Sequence, residues 1–200
     1  MTMQDAVAAG DPVRTIGDSV ARVALITGVT AVLAAGALAL LFIAGEPFGR
    51  ANDVLNAAIG VTSAVLAVVV HRSVGGSPAL VALAMAGAAI TVVGSWLVMT
   101  GTTGFQLAGF VSAIGFALIG AWLLGSLASG PLGDVLSPAQ AAVGMAAGGL
   151  MLVGLIGIAG VVMGIDSAAD TPVWLWLYGI GWLGTYVAYP AWCFLVARSS

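Results

Sequence analysis

Lysine is absent from this chain, histidine and cysteine occur once each, and charge of either sign is scarce. Charged residues are 6% of the 200, five Arg and eight Asp/Glu, where an ordinary soluble domain carries roughly 25%. That shortage excludes a soluble globular enzyme and a disordered chain. Five scattered Arg make no basic face, so no nucleic-acid partner is expected. Cys193 has no second cysteine to pair with, which excludes a disulfide scaffold. Without lysine there is no retinal Schiff base, and a single histidine excludes a haem held by two. Neither GxSxG nor HExxH occurs, and no phosphate-cradling glycine loop is present. The expectation is no cofactor, and a lipid- or quinone-modifying enzyme is the weakest of the functional readings because no acid/base pair sits at a shared depth.

What the chain has in abundance is apolar surface. Hydrophobic residues make up 61% and the mean hydropathy is +1.15. Apolar runs of about 20 residues cross a hydrocarbon core as helices, because lipid offers backbone N–H and C=O groups no outside partner. The expected fold is all-α, a polytopic membrane protein with six transmembrane helices at about 23–44, 54–70, 78–100, 105–127, 138–163 and 172–197. No charge occurs from Ser73 to Gly133, so that stretch is divided at the polar turn Gly101-Thr102-Thr103-Gly104. Residues 1–22 form a cytoplasmic N-terminal segment ahead of a transmembrane domain at 23–197. The first apolar run is too long for a signal peptide's core and is read as a retained helix. The second span, 17 residues, would cover only about 26 Å, which puts Arg50, Asn52 and Asp53 at its mouth, with Asn52 or Asp53 capping the helix start.

Arginine placement sets orientation. Six spans put Arg14, Arg22, Arg72 and Arg198 on one side and Arg50 alone on the other, so both termini are expected in the cytoplasm. The all-arginine basic set, with heavy Ala, Gly and Val, points to a bacterial plasma membrane. A shift of 60 positions superimposes Ser77-Pro78-Ala79 on Ser137-Pro138-Ala139, and residues 77–94 share eight identities with 137–154. The inner ends of even-numbered helices share His71-Arg72-Ser73, Ala128-Ser129 and Ala197-Arg198-Ser199. Three tandem helical hairpins are the resulting expectation. Gly144, Gly148, Gly154, Gly157, Gly160 and Gly164 make the fifth helix the expected tightly packed centre.

Two constellations carry candidate chemistry. On the sixth helix, Trp174, Tyr178, Trp182, Thr185, Tyr189 and Trp192 fall within an arc of about 80° at 100° per residue. Trp174 and Trp192 suit the two aromatic belts, Pro190 is expected to kink the helix, and the deeper hydroxyls need partners. Tyr178, Trp182, Thr185 and Tyr189 are therefore the candidate ligand-facing residues of a cavity wall; the competing reading is core packing against glycine-rich helix 5. At the outer rim, Glu46, Arg50, Asp53, Asp166 and Asp170 could orient a polar group, or else form an Arg50 ion pair and solvated caps. That spacing promises no metal site. His71 reads as a boundary residue and Cys193 as a small buried hydrophobe. No charge lies mid-span, which fits a neutral or hydrophobic small molecule better than an ion. Binding or transport of such a molecule is the leading expectation, and an accessory or assembly subunit of a larger membrane complex is the alternative. The partners expected are the lipid bilayer and either that molecule or another membrane subunit.

Overall fold

The computed structural model describes residues 17–199. Arg14, and the expected cytoplasmic segment as far as residue 16, lie outside the described residues.

Every regular element among the described residues is helical, with no strand. In chain order they are α1 (Asp18–Ala44), α2 (Phe48–Val74), α3 (Pro78–Met99), α4 (Phe105–Ala128), the short α5 (Pro131–Val135), α6 (Pro138–Val162) and α7 (Val173–Ala197). All but α5 are long and apolar enough to cross a membrane. Proline opens α3 and α6, where its missing N–H is one that the first helical turn would leave unpaired anyway. Ser137 and Gln140 close a reciprocal capping box at the start of α6.

The second helix departs from the sequence expectation. It starts at Phe48 and runs 27 residues, about 40 Å at 1.5 Å each, instead of 17. Asn52 and Asp53 do not cap it. They lie in its second turn, 2% and 8% exposed, turned into the bundle. A hydropathy window stops at charged residues, whereas the backbone ladder continues as long as the polar side chains find an interior that tolerates them.

Neighbouring helices close a ring: α1 packs on α2, α2 on α3, α3 on α4, α4 on α6, α6 on α7, and α7 back on α1. The central helix is α4, not the expected fifth span. Within its apolar window 61% of residues are buried, against 33% for α6. The reason is where the small residues meet. A Cβ on Gly87 of α3 would lie 3.0 Å from the Ile119 and Leu118 side chains of α4. On the other flank, Gly120 of α4 and Gly148 of α6 face each other so closely that a Cβ on either would stand 2.8 Å from the other's carbonyl oxygen. Helices without a hydrophobic drive between them associate through such backbone approach. The glycines of α6 serve one side of α4, and those of α4 itself serve both.

The last helix is not uniform. It begins as a 3-10 stretch at Val173–Tyr178, passes through α-helix at Gly179–Leu183, widens to a π turn at Gly184–Ala188 and resumes as α-helix at Tyr189–Ala197. Pro190 cannot donate to the carbonyl of Tyr186, and the wide turn lies immediately ahead of it. A 3-10 turn also interrupts α6 at Val153–Ile156, level with Gly181 of α7, whose Cβ would meet the backbone of Gly154 at 3.0 Å.

Candidate functional site

The loops at 45–47, 100–104 and 163–172 share one end of the bundle. Asp166 demonstrates the arrangement: its carboxylate accepts from the backbone N–H of Gly104 at 2.6 Å and of Leu107 at 3.2 Å. It thereby caps α4 from another loop and places a negative charge at a helix N-terminus. At the opposite end, Gln140 donates to the carbonyl of Leu195 and to Ser199 Oγ, tying the start of α6 to the end of α7.

Beneath the first set of loops lies a cavity of about 350 Å³, within the size range of sites that take small organic molecules. Five helices contribute to it. Leu38 and Phe42 come from the end of α1, Asn52, Asp53 and Asn56 from α2, and Gly94 and Val98 from α3. The first two turns of α4 add Phe105, Gln106, Ala108, Gly109 and Ser112, and α7 adds Trp176, Tyr178, Trp182 and Tyr186. Phe42, Phe105, Ala168 and Trp176 are exposed and form its rim.

The wall on α7 is an aromatic ladder. Trp182 stacks on Tyr186 at 5.3 Å between centroids and 12° between planes, and meets Tyr178 edge-on at 6.5 Å. Phe116 braces the back of Trp182 at 5.7 Å, and Phe110 braces Tyr178 at 4.7 Å, both edge-on. Edge-to-face contacts of this kind hold ring orientation beyond what area alone provides.

Beside the ladder, α2 supplies amides that close a hydrogen-bonded ring with it. Tyr186 donates through its hydroxyl to Asn56 Oδ1 at 2.8 Å, Asn56 donates to Asn52 Oδ1 at 3.0 Å, and Asn52 donates to the Tyr186 oxygen at 3.3 Å. Asn52 also donates to the carbonyl of Ala34 at 2.9 Å, which pins α1 to the same ring. From α4, Gln106 donates to the hydroxyl of Tyr178 at 3.4 Å. Asp53 is different. Among the described residues its carboxylate takes no hydrogen bond and forms no ion pair, although it is 8% exposed and lines the cavity.

The structure separates the candidates named from sequence. Tyr178 and Trp182 line the cavity. Thr185 does not: its hydroxyl donates to the carbonyl of Gly181 within its own helix. Tyr189 lies deeper, its hydroxyl donating to Ser63 Oγ at 3.0 Å and its ring stacked on Trp192 at 5.9 Å. Trp192 is fully buried, with its indole N–H unpartnered, so it belongs to the core and not to an aromatic belt. Trp174 is half exposed. Of the rim set, Asp53 alone faces the cavity. Glu46, Arg50, Asp166 and Asp170 are exposed, and Arg50 has no ion pair among the described residues. No group of three or more His, Cys, Asp or Glu among the described residues is placed to hold a metal. Cys193 is buried beside Gly28.

The hydrogen-bonding cavity residues Tyr186, Asn56, Gln106 and Asn52 escape the sequence reading. Tyr186 falls at about 120° on a uniform α-helix, outside the arc of the others. The π turn rotates less per residue and brings it back beneath Trp182. Its spacing of four from Trp182, repeating the four from Tyr178, was the available signal. Asn56 and Gln106 lie inside expected spans, and an amide in a span marks an interior-facing position. Asn52 lies outside the charge-free stretch that marks the second span in the sequence, though inside the helix itself.

Fold and site together fit a multi-pass membrane protein whose helices contact the lipid bilayer and enclose a cavity lined by aromatic rings and by a few polar side chains. Comparison with protein-family models, with curated proteins and with solved structures finds no match to this chain.

Proposed function

We propose that the protein binds or transports a hydrophobic small molecule in the cavity among α1, α2, α3, α4 and α7, with Tyr178 and Trp182 among the residues that touch it. One observation carries this reading: about 350 Å³ of space next to an aromatic ladder in a bundle whose glycines elsewhere bring backbones into contact. A chain packed only for stability would fill such a space with side chains, since each void forfeits dispersion contacts along its lining. The polar groups are few and convergent, the pattern that orients a ligand within an otherwise apolar site.

In this reading the cavity opens on the non-cytoplasmic face of a bacterial plasma membrane, with both termini and residues 1–22 in the cytoplasm, in keeping with the arginine distribution. The α1–α2, α3–α4 and α6–α7 hairpins then form three tandem units of one orientation. The matching Ser-Pro starts of α3 and α6 support this.

The test is native mass spectrometry of the protein purified from its host membrane in mild detergent, with Gly109→Leu as comparison. Gly109 lines the cavity, and a Cβ there would meet nothing nearer than the Tyr178 hydroxyl at 3.9 Å, so the leucine fills space without pushing backbone. A recurrent added mass of small-molecule size, lost in Gly109→Leu, supports the reading. A stoichiometric second polypeptide with no small molecule would make the protein a subunit of a larger complex instead.

A further inference from the structure

We propose that the cavity's ligand is an organic cation, a hydrophobic body bearing an amine or other positively charged nitrogen, with Asp53 as its counter-ion. The inference rests on the cavity reading and adds the charge of the occupant. Asp53 lines the cavity from the second turn of α2, and more than nine-tenths of its surface is covered. The described residues give its carboxylate no hydrogen-bond donor and no cation, although neighbouring Asn52 and Asn56 are satisfied by their ring with Tyr186. Arg50 lies three positions earlier in the helix yet is exposed and unpaired with it. A carboxylate drawn away from water with no donor or cation of its own is costly, and the cost is removed by a cation that enters with the ligand.

The aromatic side chains that share the cavity with Asp53 are suited to the same chemistry. Trp182, Tyr178 and Tyr186 all line the cavity, and aromatic rings attract an onium group through their quadrupole as well as packing against a flat apolar body. No Lys, Arg or His lines the cavity, so nothing there competes for Asp53 or repels a positive head. An anionic ligand would meet the carboxylate without a compensating base. A neutral one without a hydrogen-bond donor would leave it unpaired.

The experiment compares two probes of one shape. N-benzylpyridinium and diphenylmethane differ in that a positively charged ring nitrogen replaces carbon. Binding of each, labelled, is measured by equilibrium dialysis against the full chain in detergent, as wild type, Asp53→Asn, Asp53→Glu and Gly109→Leu. Because micelle partitioning is common to all four proteins, ratios between them report the site. The expected result is that Asp53→Asn weakens the pyridinium on the order of tenfold while leaving diphenylmethane unchanged, that Asp53→Glu retains the pyridinium, and that Gly109→Leu loses both. If Asp53→Asn alters both probes alike, or neither, while Gly109→Leu still removes them, the cation assignment is overturned and the cavity reading stands. Probes that bind but are indifferent to Gly109→Leu, together with a co-purified mass that is also indifferent, would overturn the cavity reading itself. Should Asp53→Asn not fold, saturable pyridinium binding to wild type and Asp53→Glu, abolished in Gly109→Leu, is required. Its absence overturns the proposal.

Discussion

Replacing Tyr186 by Phe removes one oxygen from the hydrogen-bonded ring and nothing else from the cavity wall. The stacking partner Trp182 remains, as does nearly all of the buried area. Two hydrogen bonds disappear, and they are unequal. The bond from Asn52 is long at 3.3 Å, and the same nitrogen keeps the carbonyl of Ala34 at 2.9 Å, so its loss leaves no orphan. The bond to Asn56 Oδ1 is short at 2.8 Å, and no other described donor serves that oxygen. Side-chain hydrogen bonds between membrane helices average about 0.6 kcal/mol. A buried acceptor left without a donor costs roughly 1–3 kcal/mol. The expected destabilisation is therefore about 1–2 kcal/mol, read from the SDS fraction at which half the protein unfolds. Tyr189→Phe is the control. It loses one bond to Ser63, whose hydroxyl can turn to its own helix's carbonyls, so about 0.5 kcal/mol is expected. Combining Tyr186→Phe with Asn56→Ala should give less than the sum of the single effects, by about 1 kcal/mol. If Tyr186→Phe costs no more than Tyr189→Phe and its effect simply adds to that of Asn56→Ala, the ring does not hold α2 to α7 and the reasoning fails.

Other expectations follow from the same geometry. Gly120→Ala drives a methyl to 2.7 Å from Met151 Cβ and 2.8 Å from the Gly148 carbonyl, so it should cost about 1–3 kcal/mol in the SDS titration. Gly149→Ala on the same helix as Gly148 meets nothing within 4 Å and should be neutral or slightly stabilising. Equal costs for the two would refute the close α4–α6 contact. Asp166→Ala uncaps α4 and should lose about 0.5–2 kcal/mol, with faster hydrogen exchange at the Gly104 and Leu107 amides and none elsewhere in α4. Gln140→Ala breaks both the capping box and the tie to Leu195, and about 1–2 kcal/mol of stability should go with it. A Gln140→Ala protein that melts like wild type would show that α6 and α7 are held at that end by packing alone.

The six spans and most of their ends were legible in the chain, because in lipid an uninterrupted apolar run has only one way to satisfy its backbone. Pro78, Pro138 and the Gly101–Gly104 turn marked boundaries that the structure keeps to within a residue. The shared direction of Tyr178 and Trp182 was legible too, since a helical repeat projects sequence spacing onto direction, but the same spacing grouped Thr185, Tyr189 and Trp192 with them. Three features were decided only in three dimensions. Which helix is central depends on where small residues from two neighbours coincide, and Gly120 meeting Gly148 is a property of a pair, not of either helix. The reach of α2 depends on whether Asn52, Asn56 and Asp53 find an interior, and Tyr186 provides it for the two amides from more than a hundred residues away. The register of α7 turns on the π segment at Gly184–Ala188, which brings Tyr186 under Trp182 and leaves Thr185 to its own backbone. Local pattern determines that a segment is a helix and which side is apolar; the polar contacts that fix its rotation and depth come from partners that only the folded chain brings near.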